Sequence, residues 1–339
     1  MQSNPTSFYA NLLTVSDALK RYYDLDTDAM LAEVEVDLKA VAHGDQRVPF
    51  EAVDRFWEMA VEATGNPSIG LDVVEDLNPA IYRSLGVALL CSSSLREFFQ
   101  RFERFFAVIS TLETVTFDEG ADISTFTDRR EVEYSKSTIG CHADVFASFT
   151  VKFIRLLLRP DYSPVKIKLV WTPPEEYQYR YPEWFGCPVD FGQDVTAVLV
   201  DSADLDLELA GSNPEIALQN DKLAFNVLEK MSKLDLPAQV YSRLIDFLPS
   251  GDCSRERVAR SLAMSESAFQ KKLKGAGTSY QELLDNTRAE LAKLHLADPD
   301  ISIDEVAYLL GFSDCSNFTR AFKRWLGQSP RDYRNSLSG

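Results

Sequence analysis

Two short stretches hold the side chains best suited to chemistry, and that chemistry is recognition of nucleic acid. In "SESAFQKKLK" (265–274), Ser267, Gln270, Lys271 and Lys274 recur every three to four residues, while Phe269 and Leu273 mark the opposite side. In "CSNFTRAFKR" (315–324), Ser316, Thr319, Arg320 and Lys323 repeat the arrangement around Phe318 and Phe322. On a helix this spacing separates a polar outer face from an apolar inner one. Gln, Arg, Ser and Thr can read base edges in a major groove, whereas Lys and Arg also hold phosphates. Gln270, Lys271, Thr319 and Arg320 are the base-proximal candidates. Lys274 and Lys323 serve equally as base readers or as phosphate contacts or solvated charges.

Such faces need elements that present them. Ser254 caps a helix whose Val258, Ala259 and Leu262 point inward, Ala263-Met264 turns, and Ser265 caps the second helix. The small Ala259 lets the two helices approach, as a helix-turn-helix requires. The design recurs at 302–325: Ser302 caps, Val306, Ala307 and Leu310 face inward, Gly311 turns and Phe312 plugs the core. Asp314 and Cys315 then face outward at the start of the second reading helix, where Asp314 is placed to accept from a cytosine amine or a neighbouring arginine. Between the units, "YQELLDNTRAELAKLHLAD" (280–298) predicts a helix roughly 28 Å long. Successive major-groove windows lie about 34 Å apart, so one chain can hold both reading helices near that spacing.

These C-terminal residues resemble the DNA-binding domain of the AraC/XylS family of bacterial transcription regulators. The matching segments are "VARSLAMSESAFQKKLK", "GTSYQELL" and "IDEVAYLLGFSDCSNFTRAFKRWLGQSPRDYR". Cys315 departs from the longer polar residue frequent at that position.

The rest of the chain has another character. The 339 residues carry a net charge of −17. Residues 238–339 hold 14 basic against 13 acidic side chains, so the acidity belongs almost wholly to the N-terminal part. An acidic surface there favours solubility and discourages stray DNA contacts. Five scattered cysteines without a CxxC pair suit free thiols in a reducing cytoplasm and supply neither a disulfide framework nor a zinc site. His43, His142 and His295 read as surface or packing residues. No metal or cofactor is expected, and no stretch is long and apolar enough to span a bilayer, so no membrane partner is expected.

Apolar periodicity predicts helices across 8–65, at 94–110 behind a serine cap, and at 140–160 up to Pro160. "ETVTFDEGADISTFTD" (113–128) predicts a hairpin, "PVKIKLVWTPP" (164–174) a strand, and "PVDFGQDVTAVLVD" (188–201) two strands across a Gly-Gln-Asp turn. The expected fold is an α+β N-terminal domain, helices plus antiparallel sheet, over 1–211. A linker at 212–237 then leads to an all-α domain with two helix-turn-helix units over 238–339.

"RVPFEAVDRFWEMAVEATGNPSIGL", "YRSLGVALLCSSSLREFFQRFERFF" and "WFGCPVDFGQDVTAVLVDSADLDLEL" resemble the effector domain of the subgroup containing ornithine-utilisation and some virulence regulators. That subgroup lacks the β-cupin of the arabinose regulator. The resemblance implies a small-molecule pocket; Tyr82, Arg83, Tyr134 and Trp171 are candidate lining residues, against packing roles for each. The leading expectation is a cytoplasmic, sequence-specific transcription regulator responding to a small-molecule effector. Its expected partners are double-stranded promoter DNA, RNA polymerase and a second copy of itself. One alternative makes the N-terminal domain a protein-interaction or dimerisation module without a ligand. Another makes it an enzyme with an appended helical domain, although no nucleophile–base pair, phosphate loop or cofactor fingerprint is present.

Overall fold

A computed structural model describes residues 5–37, 39, 47–76, 78–231, 236–298 and 301–337. His43 and the linker residues 232–235 lie outside them. The chain divides into two compact units, Met1–Ala224 and Phe225–Gly339.

In the first unit the described helices are α1 Tyr9–Tyr23, α2 Thr27–Glu33, α3 Phe50–Thr64, α4 Ile69–Val73, α5 Arg83–Leu90, α6 Leu95–Ile109, α7 Ile139–Leu157, α8 Glu175–Gln178 and α9 Arg180–Phe185. The strands are β1 Thr6–Phe8, β2 Arg47–Pro49, β3 Glu113–Asp118, β4 Ile123–Arg130, β5 Lys166–Lys168, β6 Val189–Asp190 and β7 Thr196–Asp201. Five of them form a sheet in the order β3-β4-β7-β5-β6, antiparallel except for the β5–β6 pair.

Helix α6 forms where periodicity predicts it, with Ser94 Oγ accepting from the Glu97 amide and the Glu97 carboxylate accepting from the Ser93 amide at 2.7 Å. It lays Phe98, Phe99, Phe102 and Phe105 into the core, each at most 1% exposed. Each such ring contributes on the order of 2 kcal/mol by leaving water. Phe126 of β4 meets both Phe99 and Phe102, so helix and sheet close on one aromatic core. Helix α7 is buried along most of its length beside β7.

Two elements differ from expectation. β2 falls within the region predicted as helical and pairs antiparallel with β1, which ends as that region begins. Three-residue strands are too short to show alternation, and the pair is held by Arg47, whose guanidinium donates to the Thr6 and Val108 carbonyls at 2.7 and 2.6 Å. The two strands expected on either side of Gly192-Gln193-Asp194 form as β6 and β7, but they are not neighbours in the sheet, because β5 lies between them. The turn amides bond back onto the chain after β5, Gly192 to the Trp171 carbonyl and Gln193 to that of Leu169. This commits the turn to an inner neighbour and carries the chain past it.

Helix α10, Pro214–Lys230, occupies much of the segment expected as linker, and the first unit ends within it. The second unit is helical throughout its described residues: α11 Leu236–Phe247, α12 Arg255–Ser261, α13 Glu266–Gly275, α14 Tyr280–Ala297, α15 Ile303–Leu309, α16 Cys315–Leu326 and α17 Pro330–Leu337. Helix α14 opens on a capping box, Ser279 with Glu282, and packs against α11, α15, α16 and α17. The architecture is therefore an α+β unit followed by an all-α unit.

Candidate nucleic-acid interface and small-molecule cavity

Each half of the second unit is a helix-turn-helix built from local signals. Ser254 Oγ accepts from the Arg257 amide to start α12, and Ser265 Oγ accepts from the Ala268 amide to start α13. The turn between them places Ala263 at φ +53°, a left-handed conformation taken by few residues with a Cβ. Val258, Ala259, Phe269 and Leu273 are at most 1% exposed, so the two helices share a dry seam. That seam leaves Ser267, Gln270, Lys271 and Lys274 exposed together on α13.

In the second half Ser302 caps α15, Gly311 turns at φ +70°, and Phe318 and Phe322 are fully buried. Ser316, Arg320 and Lys323 are exposed on α16, whereas Thr319 is half-buried with its hydroxyl 4.0 Å from Cys315 Sγ. Phe312, expected in the core, is half-buried; the Arg288 guanidinium covers its ring at 4.3 Å from the centroid. Asp314 is the N-cap of α16, with Oδ1 accepting from the Asn317 amide at 2.8 Å. Its carboxylate is thus engaged by its own helix, where an anion meets the positive end of the helix dipole.

The five basic side chains of 311–334 divide by role. Arg324 pairs with Asp285 at 3.1 Å. Arg334 donates to the Leu296 and Ile301 carbonyls at 3.1 and 2.8 Å, tying α17 to the end of α14. Arg320, Lys323 and Arg331 are exposed. Periodicity did not point to Arg288, which clamps the second turn by donating to the Leu310 carbonyl at 3.0 Å and to that of Gly311 at 3.3 Å.

The first unit contains a cavity of about 100 Å³. Leu12, Trp57, Phe102, Phe106, Phe146 and Phe149 supply apolar wall from four helices. At one side Tyr82 donates to Asn11 Oδ1 and Asn11 donates to Ser7 Oγ, both at 2.8 Å, so these polar groups satisfy one another. Another part of the wall is Ser110, Glu113 and His142. Strand alternation puts Glu113, Asp128 and Phe126 on the same sheet face, toward the helices. Glu113 accepts from Ser110 Oγ at 2.6 Å and from the Tyr134 hydroxyl. Burial holds its carboxyl above the usual range, with those two donors opposing the shift.

His142 lies at the centre of this group. Its Nδ1 is 3.8 Å from Glu113 and its Nε2 is 3.9 Å from Asp54, both beyond hydrogen-bond length. Tyr134 stacks on the imidazole at 4.1 Å, and buried Nε2 has no hydrogen-bond partner. Burial lowers the His142 pKa to about 3, so the ring is neutral at pH 7. A second, narrow recess shares His142 with the cavity and adds Tyr134, Asp128 and Arg130. Asp128 is 6% exposed, and its Oδ1 also lacks a partner. Burial raises its pKa well above the carboxylate range, and the nearby Glu113 charge adds to the shift.

Of the four pocket candidates, Tyr82 lines the larger cavity and Tyr134 the recess beside it. Arg83 is exposed, 5.9 Å from the Phe8 ring centroid, and lines neither. Trp171 is held elsewhere: its indole donates to Asp144 Oδ1 at 2.9 Å, and it approaches so closely that a Cβ on Gly140 would lie 2.7 Å from the ring. Sequence reading missed Asp54, Glu113, Asp128 and the central place of His142, because no local spacing joins them.

Comparison with known proteins agrees with this geometry. Residues 25–209 match the family described as the arabinose-binding domain of AraC transcription regulator, N-terminal, and residues 258–336 match a helix-turn-helix domain. The chain is 28% identical to the ornithine utilization regulator of Pseudomonas aeruginosa over 98% of this chain and 99% of that one. It is 31% identical to the transcriptional regulator VirS of Mycobacterium tuberculosis, over 45% of each chain. Among solved structures, the transcriptional regulator CdpR from P. aeruginosa superposes with a TM-score of 0.51 at 25% identity, covering 91% of this chain and 96% of that one.

Proposed function

The chain belongs to the AraC family of transcription regulators, and from that premise we propose that it reads promoter DNA through α13 and α16. Gln270, Lys271, Thr319 and Arg320 contact base edges in this reading, and Ser267, Lys274, Ser316 and Lys323 hold phosphates. The observation that carries it is the pair of capped helices in one unit, each with its aromatic anchors buried and its polar row outward. Helix α14, eighteen residues and about 27 Å long, lies between them in sequence and suits two adjacent groove segments. RNA polymerase is the partner through which promoter binding acts.

The test begins with a binding sequence selected by the full-length protein. Gln270→Ala and Arg320→Ala each weaken binding to it by about 1–3 kcal/mol and relax base preference at the contacted position. Lys274→Ala and Lys323→Ala weaken binding evenly across sequences and each lower the salt slope by about one. Sequence-specific affinity that survives Gln270→Ala combined with Arg320→Ala removes both helices from the reading role.

The same proposal gives the first unit a small-molecule effector, taken into the cavity walled by Trp57, Phe102 and Phe146. A solid core would favour a protein-interaction module; an apolar cavity with a few convergent polar groups favours a ligand. The effector acts by binding one arrangement of the protein more tightly than another.

A further inference from the structure

We propose that the cavity ligand is a compact organic cation: a protonated primary amine on a short apolar body. The inference rests on the effector reading of this cavity and adds the chemical class.

Charge is the first argument. Among the described residues no lysine or arginine lines the cavity, while Glu113 does. Glu113 is 3.8 Å from His142, which lines both spaces; Asp54, 3.9 Å from the same ring, lines neither, and burial holds Asp128, on the recess, toward its neutral form. Of the two nearby arginines, Arg130 lies opposite Glu113 in the β3–β4 register and its charge reaches Asp128, opposing the upward shift there. Arg47 is committed to Thr6 and Val108, and Arg130 is exposed on the recess wall. A carboxylate ligand would meet Glu113 on a wall whose own lining holds no cation, at the cost of a like-charge contact away from water.

Hydrogen-bonding capacity is the second. Both Glu113 oxygens receive neutral donors, yet each keeps acceptor capacity. Nε2 of His142 and Oδ1 of Asp128 are buried without partners. Asp128 lies on the recess and Glu113 on the cavity wall, so Glu113 is the acceptor a ligand meets there, and an ammonium brings three donors and one positive charge. The apolar wall agrees, because the rings of Trp57, Phe102 and Phe146 that line it suit a hydrocarbon body.

Size is the third. A cavity of about 150 Å³ accommodates benzene. The 100 Å³ here suits a body of about four carbons.

The probes are butylammonium, butan-1-ol and butyrate, which differ little in shape and greatly in charge. They are titrated calorimetrically into the full-length protein at pH 7.5, with thermal midpoints as a second readout. Butylammonium is expected to bind at least tenfold more tightly than either of the others. Glu113→Gln, which keeps the side-chain shape, is expected to lose that preference by at least tenfold at an unchanged far-ultraviolet dichroism spectrum. Equal or tighter binding of the alcohol or carboxylate by the unsubstituted protein overturns the cation assignment and leaves the effector cavity standing. Binding of none of the three at millimolar concentration overturns the cavity reading and this inference with it. The wild-type comparison decides the class even if Glu113→Gln folds poorly.

Discussion

Replacing Arg101 by Met tests how the first unit holds the helix on which it ends. Arg101 on α6 is 7% exposed and Asp221 on α10 is 4% exposed. The guanidinium donates to both Asp221 oxygens, at 2.8 and 3.1 Å, and to Ser92 Oγ and Glu97 Oε1, both at 2.6 Å. Met keeps the length and apolar stem but removes every donor. Asp221 is then a buried carboxyl without its cation, and burial already raises its pKa against the opposing Arg101 charge. Breaking a buried pair from one side costs about 3–5 kcal/mol, a large fraction of the roughly 5–15 kcal/mol that holds a domain folded. For a unit of this size the thermal midpoint falls on the order of 10 °C.

Urea and thermal unfolding of the full-length protein, followed by circular dichroism, provide the assay. The discriminating measurement is the double variant Arg101→Met with Asp221→Leu, which removes the stranded charge and recovers most of the loss. A single-variant loss under about 1 kcal/mol, the range of exposed ion pairs, refutes the reasoning. So does a double variant no more stable than Arg101→Met.

Two further outcomes are expected. His142 has its pKa lowered by burial to about 3, so the unfolded chain takes up this proton first; the stabilisation is present above pH 6.5 and is lost as pH falls toward 3. By pH 4 the loss is about 3 kcal/mol, and His142→Phe should be less acid-sensitive than the unsubstituted protein by that amount in urea midpoints measured at pH 7 and pH 4. Glu113 and Asp128, whose pKa values burial raises, contribute in the opposite direction in both proteins, so the difference between the two isolates His142. Identical acid sensitivity would refute the buried neutral imidazole. Asp314→Ala should destabilise the second unit by about 1 kcal/mol through loss of the α16 cap, with Asp314→Ser near neutral. Unchanged stability with altered base preference would return Asp314 to the reading surface.

Much of the second unit was legible in the sequence because its signals are local. Ser254, Ser265 and Ser302 stand three residues before the amides they accept from, and Phe269, Leu273, Phe318 and Phe322 repeat at helical spacing. Asp314 obeys the same cap rule, yet its carboxylate reads equally well as a base contact until its bond to the Asn317 amide is seen. Arg334 was even less decidable: a basic residue in a basic stretch ties α17 to Leu296 and Ile301, more than thirty residues earlier.

The sequence by itself determined the class of protein through the long motif of the second unit, and in the first unit the long helices and the β3–β4 hairpin, since these follow from periodicity and caps. It did not determine the short β1–β2 pair or the insertion of β5 between β6 and β7, which depend on partners far along the chain. Nor did it join Asp54, Glu113, Asp128 and His142, or Arg101 to Asp221 across 120 residues. Propensity and capping act within a few residues. Burial, and with it the cost of a charge, the lowered pKa of His142 and the chemistry of the cavity, exists only once distant segments exclude water together.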